Sequence, residues 1–279
     1  PNDIGFEAAC SVLTDMLENL LSGEEGLQTP LTGVFAGLSG GTIGNYRARF
    51  HDFLCHTLQN ARVIANHSDA MCALSSGAGH SDACAVISGT GSIAYARRGD
   101  TLFRAGGWGY LLDKGGSGYD FGRDALYWAL CAADGRGEPT VLTELLTEKL
   151  HASPTEAIEE IYQKGKPFIA SLAPLVFQAL HRKDAVARRI FEENSIQLAL
   201  LLNTIAEYME VFPCKTVLTG SIFRDFEDFK PFLLPKLKRE HIFLFPTLPP
   251  LYGSAVEAMA AAGLPLFPLF SQNFQKTLA

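Results

Sequence analysis

Apolar positions alternate between two spacings along the first third of the chain. Helical spacing predicts helices over residues 6–20 and 45–58, and a third helix opens at Ser68. Short apolar runs over 33–37 and 62–66 predict buried strands between these helices. Strand–helix alternation of this kind predicts an α/β layer with a mainly parallel sheet.

The pattern changes after about residue 80. The stretch ACAVISGTGSIAYARRGDTLFRAGG predicts a hairpin of two strands joined by a turn at 89–91. The chain then has helical periodicity over 120–211, and the runs KTVLTGSIF and HIFLFPTLPP predict further strands. A short helix of small residues follows Tyr252 and stops at Gly263 and Pro265.

Two caps and three segments complete this outline. Asp3 is placed to cap the first helix, and Asp184 is placed to cap a long amphipathic helix. We expect an incomplete N-terminal lobe over 1–79 and a C-terminal lobe over 80–252. Residues 253–279 should form a C-terminal helix and tail that pack back toward the N-terminal lobe.

Composition narrows the class of protein. The net charge is −7, and no basic block is interleaved with aromatic residues, so nucleic acid is a poor candidate partner. The apolar stretches are too short to span a membrane. The six cysteines form no CxxC pair and several lie in apolar runs, which favours buried free thiols, a reducing compartment and a cytoplasmic protein.

Glycine is concentrated between Ala85 and Leu126, with ten glycines in 42 residues. Such clustering indicates close approach of the main chain to something else. A G-T-G-S turn at Gly89–Ser92 would present backbone N–H groups and two hydroxyls to a phosphate chain, although for this tetrapeptide alone an ordinary glycine hairpin is the favoured interpretation. Trp108, set among glycines, offers the flat apolar face that sugar sites use.

Two further positions are candidates for chemistry. Asp69 follows a strand and opens a helix, so Ser68 or Asp69 can be a plain N-cap. Asp69 can also be the base of a phosphoryl transfer, in which a carboxylate orients a hydroxyl and takes its proton late. The Gly220–Ser221 turn can pass beneath an adenine or ribose, or can be any strand-to-helix junction.

In this order, the motifs ISGTGSIAYAR, GGWGYLLDKGGSGYDFGRDAL and AADGRGEPTVLT resemble one family. The chain is similar, over 1–265, to N-acetylglucosamine kinase-like sugar kinases of the BadF/BadG/BcrA/BcrD ATPase family. That family belongs to the actin/Hsp70/hexokinase-like superfamily. The resemblance implies a two-lobed α/β, ribonuclease H-like (actin-like ATPase) fold with a central cleft. It also implies ATP and Mg²⁺ as cofactors and a small-molecule sugar as substrate.

The resemblance also implies residue roles. Asp69 matches the catalytic aspartate, with Ser68 where threonine is usual. The implied ATP-binding residues are Gly89, Thr90, Gly91, Gly220, Ser221 and Arg224. The implied substrate-binding residues are Ser39, Gly40, Ser92, Ile93, Gly107, Trp108, Gly109, Asp113 and Lys114; no metal ligand is assigned.

Two departures from the family pattern stand out. The usual GDEGS is DKGGS here, so Lys114 occupies the place of the aspartate that holds the sugar and Asp113 stands one position early. Either Asp113 takes that role or the sugar preference differs. The opening D-G-G-[GS]-T motif has no counterpart, so we expect that about forty residues of ordinary strand and turn length precede Pro1, and that the chain is inactive without them.

The sequence thus favours an ATP-dependent kinase of an amino sugar such as N-acetylglucosamine or a related hexose. Two alternatives stay open: an ATPase activator of a radical dehydratase, for which Cys84 and Cys131 are the available cluster ligands, and a catalytically inactive sugar-binding sensor. A homodimer is the default oligomer.

Overall fold

The computed structural model describes residues 4–22, 30–99 and 101–277. The chain divides into two compact units, one formed by Pro1–Ser81 with Phe245–Ala279 and the other by Asp82–Leu244. The cap predicted at Asp3 lies outside the described residues, and Gly5 stands at the N-cap position of the first helix.

The first unit is built on two parallel strands and the helices that flank them. Its elements are α1 (Phe6–Leu21), β1 (Val34–Gly37), α2 (Tyr46–Thr57), β2 (Ile64–His67), α3 (Asp69–Ala78), α10 (Pro250–Ala261) and α11 (Phe270–Lys276). Strand β1 pairs with β2 in parallel from Val34↔Ile64 to Gly37↔His67. The strand–helix alternation predicted from the apolar spacing is therefore present.

Helix α10 lies against α3 at very short range. Gly253 permits this, because a Cβ there would stand closer than 3.0 Å to the Cys72 carbonyl. The Ser75 hydroxyl donates to the carboxylate of Glu257, which is 5% exposed, and His80 Nδ1 lies 3.1 Å from Glu257 Oε2. These contacts hold α10 against α3 within the first unit.

The second unit has a five-stranded mixed sheet in the order β5-β4-β3-β6-β7. Its strands are β3 (Ala83–Ser88), β4 (Ser92–Arg98), β5 (Thr101–Gly106), β6 (Cys214–Thr219) and β7 (His241–Leu244). Strand β3 pairs antiparallel with β4 and parallel with β6. The predicted hairpin is present, but a third strand, β5, extends it, because the register of β4 continues from Ile93↔Gly106 to Arg98↔Thr101.

Helices fill the interval between β5 and β6, as the apolar spacing predicts, and one more follows β6. They are α4 (Gly118–Asp134), α5 (Val141–Leu150), α6 (Ile158–Ala170), α7 (Ala173–His181), α8 (Ala185–Ala206) and α9 (Phe226–Leu233). Asp184 caps α8 as predicted, since its side chain accepts from the Ala187 N–H. Phe121, Phe177, Phe191 and Phe229 are in ring contact in the core of this unit.

Candidate active site

The turn between β3 and β4 is short and exposed. The Gly89 N–H donates to the Gly91 carbonyl at 2.9 Å, which closes the turn beyond the Ser88↔Ser92 pair. Thr90 and Gly91 lie at its tip, and among the described residues no acceptor meets the N–H of either. The turn therefore presents free backbone donors and the Thr90 hydroxyl to solvent.

Gly220 lies against the base of this turn. Strands β3 and β6 are parallel and their pairing ends at Ile87↔Thr219, so Gly220, the residue after β6, lies beside Ser88, the last residue of β3. Gly220 has φ +107, and a Cβ there would stand closer than 3.0 Å to the Ser88 carbonyl. Only glycine fits without movement of the backbone, so the two predicted nucleotide motifs are brought together in this unit.

Ser221 and Arg224, the predicted ATP-binding residues that follow Gly220, are both exposed. A 3₁₀ turn spans Ser221–Phe223, where Ile222 and Phe223 are buried and Ser221 is exposed. The Arg224 N–H donates to the Ser221 carbonyl at 3.3 Å, while its side chain is exposed. Both predicted ATP-binding side chains are therefore accessible to a ligand.

The glycine-rich loop that precedes α4 is hydrogen-bonded to the same turn. The Ser88 hydroxyl donates to the Gly116 carbonyl at 2.9 Å, and the Gly118 N–H donates to the Gly89 carbonyl at 2.6 Å. A Cβ on Gly115 would stand closer than 3.0 Å to Ser92 Oγ. The clustered glycines thus serve main-chain contact between two loops of the protein.

A second loop, Gly107–Lys114, carries the predicted sugar contacts. Gly107 has φ +77, and a Cβ there would collide with the side chain of Ile93. The Arg104 guanidinium donates to the Gly106 and Gly107 carbonyls at 3.0 and 2.6 Å and lies 4.3 Å from the Trp108 ring centre. Arg104 therefore orients an indole that is 65% exposed.

The two residues that depart from the family pattern have different partners. Asp113 Oδ2 accepts from the Trp108 N–H at 3.2 Å, so this carboxylate stays with the Trp108 loop. Lys114 Nζ instead lies 3.7 Å from Asp124 Oδ2, and Asp124 also accepts from Arg123 Nη2 at 2.8 Å. The acidic group beside Trp108 is Asp113, while Lys114 is drawn toward α4.

In the first unit, the predicted residues meet at one edge of the β1–β2 pair. Parallel strands bring their carboxyl ends to the same edge, and the Leu38 N–H donates to the His67 carbonyl at 2.9 Å. The turn at Ser39 and Gly40 follows β1, with φ +69 at Gly40, and Asp69 follows β2. Ser39 and Asp69 are both exposed.

Ser68 caps α3, and Asp69, the first residue of that helix, is accessible. Ser68 is buried and its hydroxyl oxygen accepts from the Ala70 N–H at 3.3 Å. Asp69 Oδ1 accepts from the Ser68 hydroxyl and from the Ala70 N–H, each at 3.0 Å. Two local donors fix the Asp69 carboxylate at the first position of the helix, and the residue is exposed.

His67, two residues before Asp69, is held as a neutral ring. Its Nδ1 accepts from the Ser68 N–H at 2.8 Å, which requires that nitrogen to be unprotonated. Burial, with help from the positive charge of Arg47, lowers the pKa of His67 to about 4. At neutral pH this imidazole fixes the chain ahead of Asp69 without carrying charge.

Sequence reasoning missed three residues that lie beside these loops. Arg104 lies in a strand that was not separated from the hairpin, so no local signal pointed to it. Asp120 forms a capping box with Ser117, a pattern readable as S-x-x-D before a helix. Lys166 lies on α6, far away in the chain, with its Nζ 3.8 Å from the point where a Cβ on Gly91 would stand.

The family model of the BadF/BadG/BcrA/BcrD ATPase family matches residues 2–247. The chain belongs to this family. The resemblance inferred from the glycine-rich motifs is thereby confirmed at the level of the family.

Two curated proteins with sequences similar to this chain are named as sugar kinases. An N-acetylmuramic acid/N-acetylglucosamine kinase of Clostridium acetobutylicum is 36% identical over 189 residues, which cover 63% of this chain and 61% of the relative. An N-acetyl-D-glucosamine kinase of Dictyostelium discoideum is 37% identical over 147 residues, covering 50% of this chain and 46% of the relative. The match thus spans less than two thirds of either relative.

Solved structures of other proteins align with most of the chain. A Chromobacterium violaceum protein, named provisionally as an N-acetylglucosamine kinase, aligns with a TM-score of 0.63 at 21% identity, covering 86% of this chain and 81% of that one. A ROK hexokinase from Thermus thermophilus aligns with a TM-score of 0.53 at 17% identity, covering 92% and 86%. The implied α/β, actin-like ATPase fold is confirmed.

No helix among the described residues is both long and apolar enough to cross a bilayer.

Proposed function

We propose that this family member transfers the terminal phosphoryl group of ATP to a hydroxyl of an amino sugar such as N-acetylglucosamine or a related hexose. The observation that carries the proposal is the close approach of Gly220 to Ser88 and Gly89, at the base of the turn that carries the free donors of Thr90 and Gly91, in the unit that also holds the Trp108 loop. The two curated sugar kinases support the choice of substrate class.

ATP fits the first of these features. The N–H groups of Thr90 and Gly91 and the Thr90 hydroxyl are donors for phosphate oxygens. Gly220, Ser221 and Arg224 would lie along the adenosine, because the bare backbone at Gly220 allows close approach. Mg²⁺ would enter with the phosphates, since it usually binds through one or two carboxylates and substrate oxygens. The described residues hold no cluster of three acidic, histidine or cysteine groups suited to a metal.

In the second unit, the Trp108 loop would hold the sugar. The exposed indole offers an apolar face, and Asp113 offers a carboxylate that can accept from sugar hydroxyls. The other sugar-binding residues proposed for this unit are Gly107, Gly109, Ser92, Ile93 and Lys114. For the first unit, Ser39 and Gly40 are proposed as sugar-binding residues from the family pattern alone. The position of Asp113 supports it, ahead of Lys114, as the residue that takes the family's acidic role.

The transfer itself requires little from the protein beyond positioning and charge stabilisation. The sugar oxygen forms a bond to the γ-phosphorus, the bond from that phosphorus to the bridging oxygen breaks, and ADP leaves with the bridging oxygen. The hydroxyl proton would pass to the second oxygen of Asp69, Oδ2. The Ser68 and Ala70 donors hold the other oxygen in place during this step.

The test is the kinase reaction of the full-length protein with Mg-ATP and a panel of hexoses and amino sugars. Asp69→Asn should lower kcat by at least about 10²-fold, since it removes a positioned base. Asp15→Asn is the matched control, because Asp15 is an exposed carboxylate on α1. Absence of sugar-stimulated ADP release in the parent, or equal rates for Asp69→Asn and the parent, would contradict the proposal.

The structure weighs against the dehydratase-activator alternative. Cys84 and Cys131 are 0% and 2% exposed and lie within the hydrophobic core of the second unit. An iron–sulfur cluster shared between subunits needs thiolates at the surface, so neither residue can supply one without opening the core. A catalytically inactive sugar-binding sensor would show no sugar-stimulated ADP release in the same assay. The homodimer and the cytoplasmic location stay predictions.

A further inference from the structure

Lys166 stands beside the exposed turn of β3 and β4. Its Nζ lies 3.8 Å from the point where a Cβ on Gly91 would stand, and 5.3 Å from the Tyr110 ring centre. The side chain is half-buried. An ammonium group is thus held at the tip of a turn whose own N–H groups have no acceptor among the described residues.

The placement of Lys166 follows from two features of α6. Gly165 has φ +63 and ψ −155, which breaks the helix immediately before Lys166. Beyond the break, α6 lies tightly on α4, since a Cβ on Gly122 would stand closer than 3.0 Å to the Ile169 carbonyl. Because α4 is itself joined to the turn by the Gly118–Gly89 hydrogen bond, Lys166 is fixed relative to Gly91.

Within the part of the chain that the structure describes, no carboxylate forms an ion pair with Lys166. Among the described residues it forms no ion pair, whereas Lys164, two positions earlier on α6, pairs with Glu160 and lies 4.5 Å from the Phe168 ring centre. A partly desolvated ammonium is costly unless an anion accompanies it. A phosphate group at the turn would be that anion.

We propose that Lys166 is a phosphate-binding residue of this protein, contacting the β- and γ-phosphates of the nucleotide held by the Thr90–Gly91 turn. This inference rests on the proposed function for the identity of the nucleotide. Lysine acts on phosphate as a compact point charge, and its ammonium would offset the negative charge that the transferred group and ADP share during transfer. A residue remote in sequence thereby completes the turn.

The experiment measures the affinities of ATP, ADP and adenosine for the full-length protein by isothermal titration calorimetry without sugar. Lys166→Met should weaken ATP about tenfold, weaken ADP less and leave adenosine unchanged, because the lost contact is to phosphate. Lys164→Met is the matched control and should stay within twofold for all three. Lys166→Arg, which keeps the charge, should retain most of the ATP affinity.

The outcomes separate this inference from the proposed function. Equal ATP affinity in Lys166→Met and the parent overturns the inference, and so does an equal loss for adenosine, which would indicate a structural role. If Lys166→Met does not fold, as judged by circular dichroism, Lys166→Gln is measured by the same series. A parent that binds ATP with the expected Lys166 dependence but phosphorylates no sugar leaves the inference standing and defeats the proposed function. A parent that binds no ATP overturns both.

Discussion

Gly220 and Gly89 lie at the same junction of the second unit but experience different constraints. Gly220 has φ +107, and a Cβ there would stand closer than 3.0 Å to the Ser88 carbonyl and the Gly89 nitrogen. No atom of residues 4–22, 30–99 or 101–277 outside its own chain neighbours lies within 4 Å of a Cβ added to Gly89, and the φ of Gly89 is not in the positive region. The backbone approach at this junction therefore depends on one glycine of the two.

Gly220→Ala should lower the free energy of unfolding by about 2 kcal/mol or more, because both the positive φ and the collision with backbone destabilise the folded state. Gly89→Ala is the matched control and should change it by less than about 0.5 kcal/mol or raise it slightly. Urea unfolding followed by tryptophan fluorescence measures both, since Trp108 and Trp128 lie in the second unit. Equal changes in the free energy of unfolding for Gly220→Ala and Gly89→Ala would show that the backbone at Ser88 does not closely approach Gly220.

At the scale of elements, the start of α4 organises the loop that faces the phosphate turn. Asp120 Oδ2 accepts from the Ser117 N–H at 2.9 Å, from its hydroxyl at 2.8 Å and from the Gly115 N–H at 3.3 Å. The Ser117 oxygen in turn accepts from the Asp120 N–H at 3.3 Å. This capping box fixes the end of the glycine loop as well as the helix, because both residues are buried.

Ser117→Ala should lower the free energy of unfolding by about 1 to 2 kcal/mol, the upper part of the range for loss of an N-cap. The buried Asp120 carboxylate also loses one of its donors. Thr147→Ala, which removes an exposed hydroxyl from the middle of α5, serves as the control and should stay within about 0.5 kcal/mol. A Ser117→Ala protein as stable as the control would contradict this account of the loop.

At the scale of the whole molecule, stability depends on pH through His67. Burial and Arg47 lower the pKa of His67 to about 4 in the folded protein, against the ordinary value of 6.5. A lowered pKa means that the unfolded chain binds the proton first as the pH falls. The contribution of His67 is therefore fully present above pH 6.5 and is lost progressively as the pH falls toward 4.

His67→Asn should remove this dependence, since an amide oxygen can accept from the Ser68 N–H but does not titrate. Between pH 6.5 and 4 the parent should lose about 1 to 2 kcal/mol more stability than the variant, a figure reduced for solvent screening at a partly exposed ring. Far-UV circular dichroism is the appropriate probe, because both tryptophans lie in the other unit. Parallel pH profiles for parent and variant would contradict the lowered pKa.

The amino-acid sequence by itself determined the elements and their class. Apolar spacing located β1, β2, β3, β6 and the long helix α8, because one face of each element is buried and the period of that face is local. The glycine clusters around Gly89 and Trp108 marked the loops of the candidate site for the same reason. The break between β4 and β5 was missed, because the polar turn at Arg98–Gly99 interrupts the strand pattern only briefly.

Only the tertiary structure decided which of these pieces meet. Gly220 meets Ser88 because β3 and β6 are parallel neighbours in the sheet, although more than a hundred residues separate them. Lys166 reaches Gly91 because α6 breaks at Gly165 and then packs on α4, and Asp113 joins Trp108 while Lys114 turns to Asp124. Contacts of this kind depend on pairing and packing between distant segments, which no local pattern of hydrophobicity encodes.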